Sequence, residues 1–186
     1  AVGFDSNYTI YDAQDSQSAI KSIIKEMQLD DKIYKASNVA ATISQAKNDL
    51  ITPSAYANND NYLARDKAKR QHYNAEIYAR YARACKKSNA MDFDDLLLYA
   101  NVLFRDNADI LEKYQDKFKY ILVDEYQDTN YSQYIIIKRL CAKTRNICVV
   151  GDDAQSIYSF RGARIENILN FQRDYPDYKL FKLEQN

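Results

Sequence analysis

The apolar run Ile121-Leu122-Val123 stops abruptly at two adjacent carboxylates, Asp124 and Glu125, followed by Tyr126-Gln127-Asp128. A short apolar run that ends in charge reads as a buried parallel strand whose C-terminal end opens into a crevice. Open α/β sheets place their chemistry at that crevice. Asp followed by Glu at such a strand end suits nucleotide hydrolysis. The first carboxylate helps hold Mg²⁺ through its water shell, and the second orients or deprotonates the attacking water. Taken alone, the pair fits a solvated strand end better than a catalytic site.

The rest of the chain sorts into a helical half and an alternating half. Gln17 to Gln28 carries Ala19, Ile20, Ile23, Ile24 and Met27 at helical spacing. Ser37 is placed to cap a second helix with Val39, Ile43, Ala46 and Leu50 on one face, and Thr52-Pro53-Ser54 breaks it. A long helix is expected from Asn61 to Lys87, with Ile77, Tyr81 and Ala84 on its buried side. Asp92 reads as the cap of a helix through Leu96, Leu97 and Leu103, with Asp94 and Asp95 in its first turn. Strands are then expected at Tyr120–Asp124, Ile147–Val150 and Tyr178–Leu183. They alternate with helices near Ser132–Cys141 and Arg164–Arg173. That alternation predicts a parallel sheet with crossover helices, so the fold class is α/β.

The second apolar run leads into Gly151-Asp152-Asp153-Ala154-Gln155-Ser156-Ile157-Tyr158-Ser159-Phe160-Arg161-Gly162-Ala163. With Tyr126, Asp128, Thr129 and Asn130 extending the first motif, the two segments resemble the UvrD/Rep/PcrA-like DNA helicases of superfamily 1. The patterns of that family are close to VDExQDTN and VVGDxxQSIYxxRGA. Leu183-Glu184-Gln185-Asn186 is similar to the opening of the next family motif. The match extends over the whole chain and is specific from about Met91 to Asn186.

The resemblance implies a helical subdomain at 1–90, inserted into a RecA-like P-loop NTPase domain whose second part is 91–186. It implies ATP and Mg²⁺ as cofactors, and single-stranded DNA and single-strand/duplex junctions as partners. Movement along DNA would run 3′ to 5′. A helicase–nuclease subunit of the RecB or AddA type shares these motifs, and a helical docking module without a motor role is the reading from another class. The chain has only Gly3, Gly151 and Gly162, so it holds no G-x-x-x-x-G-K-[ST] phosphate loop. The family places that loop upstream, so the expectation is a fragment of a larger helicase that does not hydrolyse ATP by itself.

Residue by residue, the resemblance makes Asp124 the Mg²⁺ ligand, Glu125 the general base and Gln155 the γ-phosphate contact. An amide suits that last task because it donates and accepts hydrogen bonds without changing charge. Gln127 and Asp128 either link the metal site to the DNA side, or Asp128 simply caps the following helix. Tyr158, Phe160 and Arg161 are the DNA candidates, since stacking a base contributes about 1–3 kcal/mol whatever its identity. Many relatives carry tryptophan where this chain has Phe160, and an acid where it has Ala154.

Lys+Arg and Asp+Glu balance at 26 each, so overall charge argues for no partner, but the distribution is uneven. Arg65, Lys69, His72, Arg80, Arg83 and Lys87 would align on one face of the long helix, interrupted by Glu76. Such a stripe either tracks DNA phosphates or is an ordinary solvated face. Cys85, Cys141 and Cys148 lack metal-like spacing, and Cys148 reads as a small core residue within a strand. Three unspaced cysteines and no membrane-length apolar run suit a reducing cytoplasm.

Overall fold

The computed structural model describes residues 2–152 and 166–182, and their architecture is mixed α/β, mostly helical with two small parallel sheets. β1 (Thr9–Tyr11) runs into α1 (Ala13–Glu26), whose start is fixed by Asp12. Its carboxylate accepts the Gln14 and Asp15 N–H groups, and Asp15 reaches back to the Asp12 N–H, a capping box. α2 (Ala36–Asn48) begins at Lys35 without a side-chain cap, so Ser37 lies inside the helix and does not start it. Thr52 does break the chain as expected, and it also caps a new short helix, α3 (Pro53–Tyr56), with proline at its first turn.

The helix expected over 61–87 is two helices, α4 (Asp60–Ala68) and α5 (Asn74–Lys87). Between them Arg70 takes φ 58°, the Gln71 N–H donates to Asp66 O at 2.8 Å, and the Arg70 N–H donates to Lys67 O at 3.1 Å. This is a Schellman stop made without glycine. Helical periodicity continues across the break, so nothing local announces it. The same stop closes α2, where Leu50 has φ 59° and the Ile51 N–H reaches Ala46 O at 2.8 Å. Because an L side chain pays for left-handed backbone, Arg70→Gly is expected to stabilise the chain by about 0.5–1 kcal/mol. Urea denaturation measures it, and a net loss would mean the exposed Arg70 side chain contributes more than its strain costs.

The core of this helical part joins Ile20, Ile23 and Ile24 of α1 to Val39, Ile43 and Ala46 of α2 and to Ile77, Tyr78, Tyr81 and Cys85 of α5. In a chain with 17 tyrosines and no tryptophan, buried rings carry hydroxyls that need partners. They have them: Tyr56 donates to Asp66 at 2.9 Å, Tyr62 to Asp49 at 2.7 Å and Tyr78 to Ile51 O at 3.0 Å. The rings pack on one another, with Tyr56 4.7 Å from Tyr62 and edge-on to Tyr78 at 5.9 Å.

β2 (Ala90–Asp92) pairs in parallel with β1, Thr9 opposite Ala90 and Tyr11 opposite Asp92. Three-residue strands with no alternation left this sheet invisible in the sequence. As expected, Asp92 caps α6 (Phe93–Asp106), here in a capping box with Asp95. α7 (Ala108–Lys117) leads to β3 (Ile121–Val123), a 3₁₀ turn (Tyr126–Asp128) and α8 (Tyr131–Cys141). α8 crosses over to β4 (Ile147–Val149), which pairs in parallel with β3, Leu122 opposite Cys148. α9 (Glu166–Asp174) follows, seated on α8 by Tyr134, whose hydroxyl donates to Asp174, and by Lys138, 3.0 Å from the same carboxylate.

Two expectations about this half are corrected. Residues 178–182 are irregular, with Phe181 81% exposed, so the described part of the expected strand at 178–183 does not form. The β3–β4 pair is parallel but not buried on both faces. Leu122 is 77% exposed and Cys148 is also exposed, not a core residue. Among the described residues, no element covers the side of the pair that carries Leu122 and Cys148. No helix among the described residues is long and apolar enough to cross a membrane.

Candidate functional site

Parallel pairing of β3 with β4 brings the two strand ends side by side, and the Tyr126 N–H donates to Val150 O at 2.9 Å just beyond them. At the end of β3 the Glu125 backbone turns left-handed, with φ 48°. Such a conformation in a non-glycine residue costs free energy and recurs at functional positions. The turn reverses the chain so that Asp124 and Glu125 both face solvent, and Asp124 Oδ1 accepts the Glu125 N–H at 2.9 Å. Beside them opens a cleft of about 400 Å³. Leu97, Ile136 and Ile137 form its apolar floor, and Asp124, Glu125 and Asp128 place three carboxylates at its rim.

Gln127 is 2% exposed and uses both ends of its amide. Nε2 donates to Glu125 Oε2 at 2.6 Å, and Oε1 accepts the Asp152 N–H at 3.1 Å. The first motif therefore touches the second through one side chain. Asp128 is exposed and does not cap α8. Asn130 does, in a capping box with Gln133, because an Asx side chain immediately before the helix reaches its second and third N–H groups and one two residues earlier does not. Gln155, Tyr158, Phe160 and Arg161 lie outside the described residues.

The basic positions are not one stripe. Arg65 lies on α4 and Lys69 at its end, whereas Arg80, Arg83 and Lys87 lie on α5, beyond the Arg70 break. Arg65 sits over the Tyr62 ring at 5.4 Å. Arg80 pairs with Glu76 at 2.7 Å and Arg83 approaches the same carboxylate at 3.6 Å. These pairs are largely solvated and contribute little to stability.

A second cluster, not anticipated, ties the helical part to this site. Lys47 of α2 is 1% exposed and lies 2.6 Å from Asp92 Oδ2 and 2.7 Å from Asp95 Oδ1. Tyr81 donates to Asp92 at 2.8 Å and turns its ring face toward the Lys47 ammonium at 4.9 Å. Next along α2, Asn48 donates to Asp94 at 3.1 Å and accepts from Asn130 at 2.6 Å. Asn130, the cap that follows the carboxylate motif, is thereby bonded to the helical part. The Asp92 cap, with Asp95 in the first turn of α6, was the legible portion of this network; the return bond from Asp95 and the partners on α2 carried no local signal.

Burial alone lowers the Lys47 pKa, but the two carboxylates outweigh it and hold the ammonium above the usual lysine value. Burial pushes Asp95 up to about 6 against the pull of Lys47, with Asp92 adding repulsion. Burial also raises Asp92, yet Lys47 and the hydrogen bonds from the Asp95 N–H and Tyr81 hold it below the usual carboxylate range. Asp95 thus binds its proton more tightly when folded. Its contribution favours the folded state below the ordinary carboxylate value of 3.8 and is lost as pH rises through about 6. Asp95→Asn removes that titration, so its stability relative to wild type is expected to rise across this pH window. Urea denaturation at several pH values checks this, and a difference that does not change with pH would refute it.

A family model, the N-terminal domain of UvrD/REP helicases, matches residues 1–176. The chain belongs to that family. It is 43% identical over 188 residues to the ATP-dependent DNA helicase PcrA of Bacillus subtilis (strain 168), across 100% of this chain and 24% of that protein. PcrA of Staphylococcus aureus (strain NCTC 8325 / PS 47) is 43% identical over 187 residues, and PcrA of Leuconostoc citreum is 42% identical over 186, with the same shares covered. The chain therefore spans about a quarter of the length of these UvrD/REP relatives. Within the family pattern, the paired carboxylates, Gln127 and the Asp152 N–H are the elements whose geometry is described above.

Proposed function

We propose that this chain is part of an ATP-dependent DNA helicase that moves along single-stranded DNA, 3′ to 5′, and acts at single-strand/duplex junctions. The observation that carries the reading is the Asp124–Glu125 pair. It stands at the end of a parallel strand, turned into solvent by a left-handed residue and bridged through Gln127 to the adjacent strand end.

An exposed carboxylate at the mouth of an open cleft suits Mg²⁺, a hard cation that keeps several waters and takes one or two protein carboxylates plus phosphate oxygens. Phosphate oxygens of the nucleotide would complete the shell of such an ion. Asp124 would orient that ion through its water shell, and Mg²⁺ bound with ATP would offset the charge that builds on the phosphates. Glu125 would orient the attacking water and take its proton. Gln155 would contact the γ-phosphate, and Tyr158, Phe160 and Arg161 would meet the DNA.

The bare face of the β3–β4 pair, with Leu122 and Cys148 exposed, supports its being part of a larger RecA-like sheet. The tyrosine-rich core drawn from residues 20–85 supports a helical subdomain over 1–90, with 91–186 belonging to the RecA-like domain. Arg65, Lys69, Arg80, Arg83 and Lys87 are proposed as phosphate contacts on two separate helices. The decisive experiment is ATP hydrolysis by the full-length protein with and without single-stranded DNA, alongside anisotropy of labelled single-stranded and forked DNA across a salt series. DNA-stimulated hydrolysis with salt-sensitive binding supports the proposal. Hydrolysis indifferent to DNA would sink it.

A further inference from the structure

A carboxamide presents a donor and an acceptor on a rigid plane, so fixing one end fixes the other. Gln127 is buried with both ends engaged, Nε2 on Glu125 Oε2 at 2.6 Å and Oε1 on the Asp152 N–H at 3.1 Å. Among the described residues, Gln127 makes the hydrogen bond that reaches the Glu125 carboxylate.

The approach of the second segment depends on a missing side chain. A Cβ at Gly151 would lie 2.8 Å from Gln127 Oε1 and 3.5 Å from the Gln127 backbone N. That separation is too short for a carbon–oxygen contact, so any larger residue at 151 displaces the amide. Backbone bonds pin the surroundings: Val150 N–H donates to Val123 O at 2.8 Å and Tyr126 N–H to Val150 O at 2.9 Å. Tyr126 also meets Phe171 of α9 edge-on at 5.8 Å. The 3₁₀ turn directly after Glu125 therefore holds the chain where it leaves β4 and again where it is seated in α9.

We infer that Gln127 is a positioning residue through which the Gly151–Asp152 segment sets the orientation of the Glu125 carboxylate. The inference rests on the reading of Glu125 as the water-activating base and deepens it. A shift of the segment moves the Asp152 N–H, the amide follows as a rigid plane, and the carboxylate turns with the amide. DNA engaged by the residues that follow Asp152 would reach the hydrolytic water by this route.

The test uses the full-length protein with Gln127→Met, Gln127→Glu, Gly151→Ala and Glu125→Gln prepared in parallel. Methionine fills the buried volume but makes neither hydrogen bond. Glutamate keeps an acceptor for Asp152 and sets a like charge against Glu125. The expected result is a fall in DNA-stimulated kcat of about tenfold to a hundredfold in all three Gln127 and Gly151 variants, the cost typical of a misplaced catalytic group. The KM for ATP, the affinity for single-stranded DNA and the melting temperature of Gln127→Met should stay at wild-type values. A wild-type kcat in Gln127→Met overturns the inference. So does a parallel loss of KM, kcat and melting temperature, which would mark a packing role. Turnover at the wild-type rate by Glu125→Gln overturns the base assignment itself, an outcome read in its own arm.

Discussion

Lys47→Met is expected to destabilise the chain by about 3–5 kcal/mol, the range for removing one partner of a buried charge cluster. Lys47 is 1% exposed and lies within 2.7 Å of a carboxylate oxygen on each of Asp92 and Asp95. Methionine is one atom shorter but keeps most of the aliphatic volume, so the loss reports mainly on charge. What remains is two carboxylates at the start of α6 with no cation between them, and their desolvation is then uncompensated. For a chain of this size the loss corresponds to a fall of about 6–20 °C in Tm.

The penalty should shrink on acidification, because protonating Asp95, whose pKa is already raised to about 6, removes the repulsion that Lys47 neutralises. Thermal and urea unfolding at neutral and mildly acidic pH test both parts. A loss under about 1 kcal/mol would mean that water enters the cluster and screens it as it does a surface pair. The same substitution also probes the tie between the halves. Asn48, the next residue, holds Asn130 at 2.6 Å, so displacing α2 should loosen the cap of α8 behind the paired carboxylates.

Glu125→Gln in the full-length protein is expected to lower kcat for ATP by about 10²–10⁴, the contribution of a general base, while ATP binding persists. A thousandfold fall corresponds to about 4 kcal/mol in the barrier. The swap is local. Glutamine is of equal size, occupies the left-handed backbone at φ 48° on the same terms, and still offers an oxygen to Gln127 Nε2. It lacks the basicity to take a proton from water. Single-turnover hydrolysis and nucleotide-binding titrations separate the two effects. Wild-type turnover in this variant would move the base elsewhere, and lost ATP binding would make Glu125 a binding residue instead.

Motif order and helical periodicity were readable in the chain because their causes are local. The stripe Ile20, Ile23, Ile24 buries one face of α1, Asp92 caps α6, and the apolar run at 121–123 forms a strand that ends at the carboxylates. Reading failed wherever a partner was distant or the signal was too short. The Arg70 break interrupts a periodic pattern with an arginine instead of a glycine, so two helices read as one and the basic residues read as a single stripe. The strand at 147–149 looked buried because its residues are apolar. Its exposed face shows that apolar composition states what a strand prefers to contact, not what lies against it.

The sequence by itself determined the family, the order of its motifs and the residue types at the paired carboxylates, since these depend on neighbours within a turn or a strand. Only the tertiary structure decided what those residues touch. Gln127 meets Asp152 across 25 positions, Lys47 meets Asp92 across 45, and Asn48 meets Asn130 across 82. A short polar side chain makes one or two directed bonds within about 3 Å, and only the folded chain brings such distant positions that close.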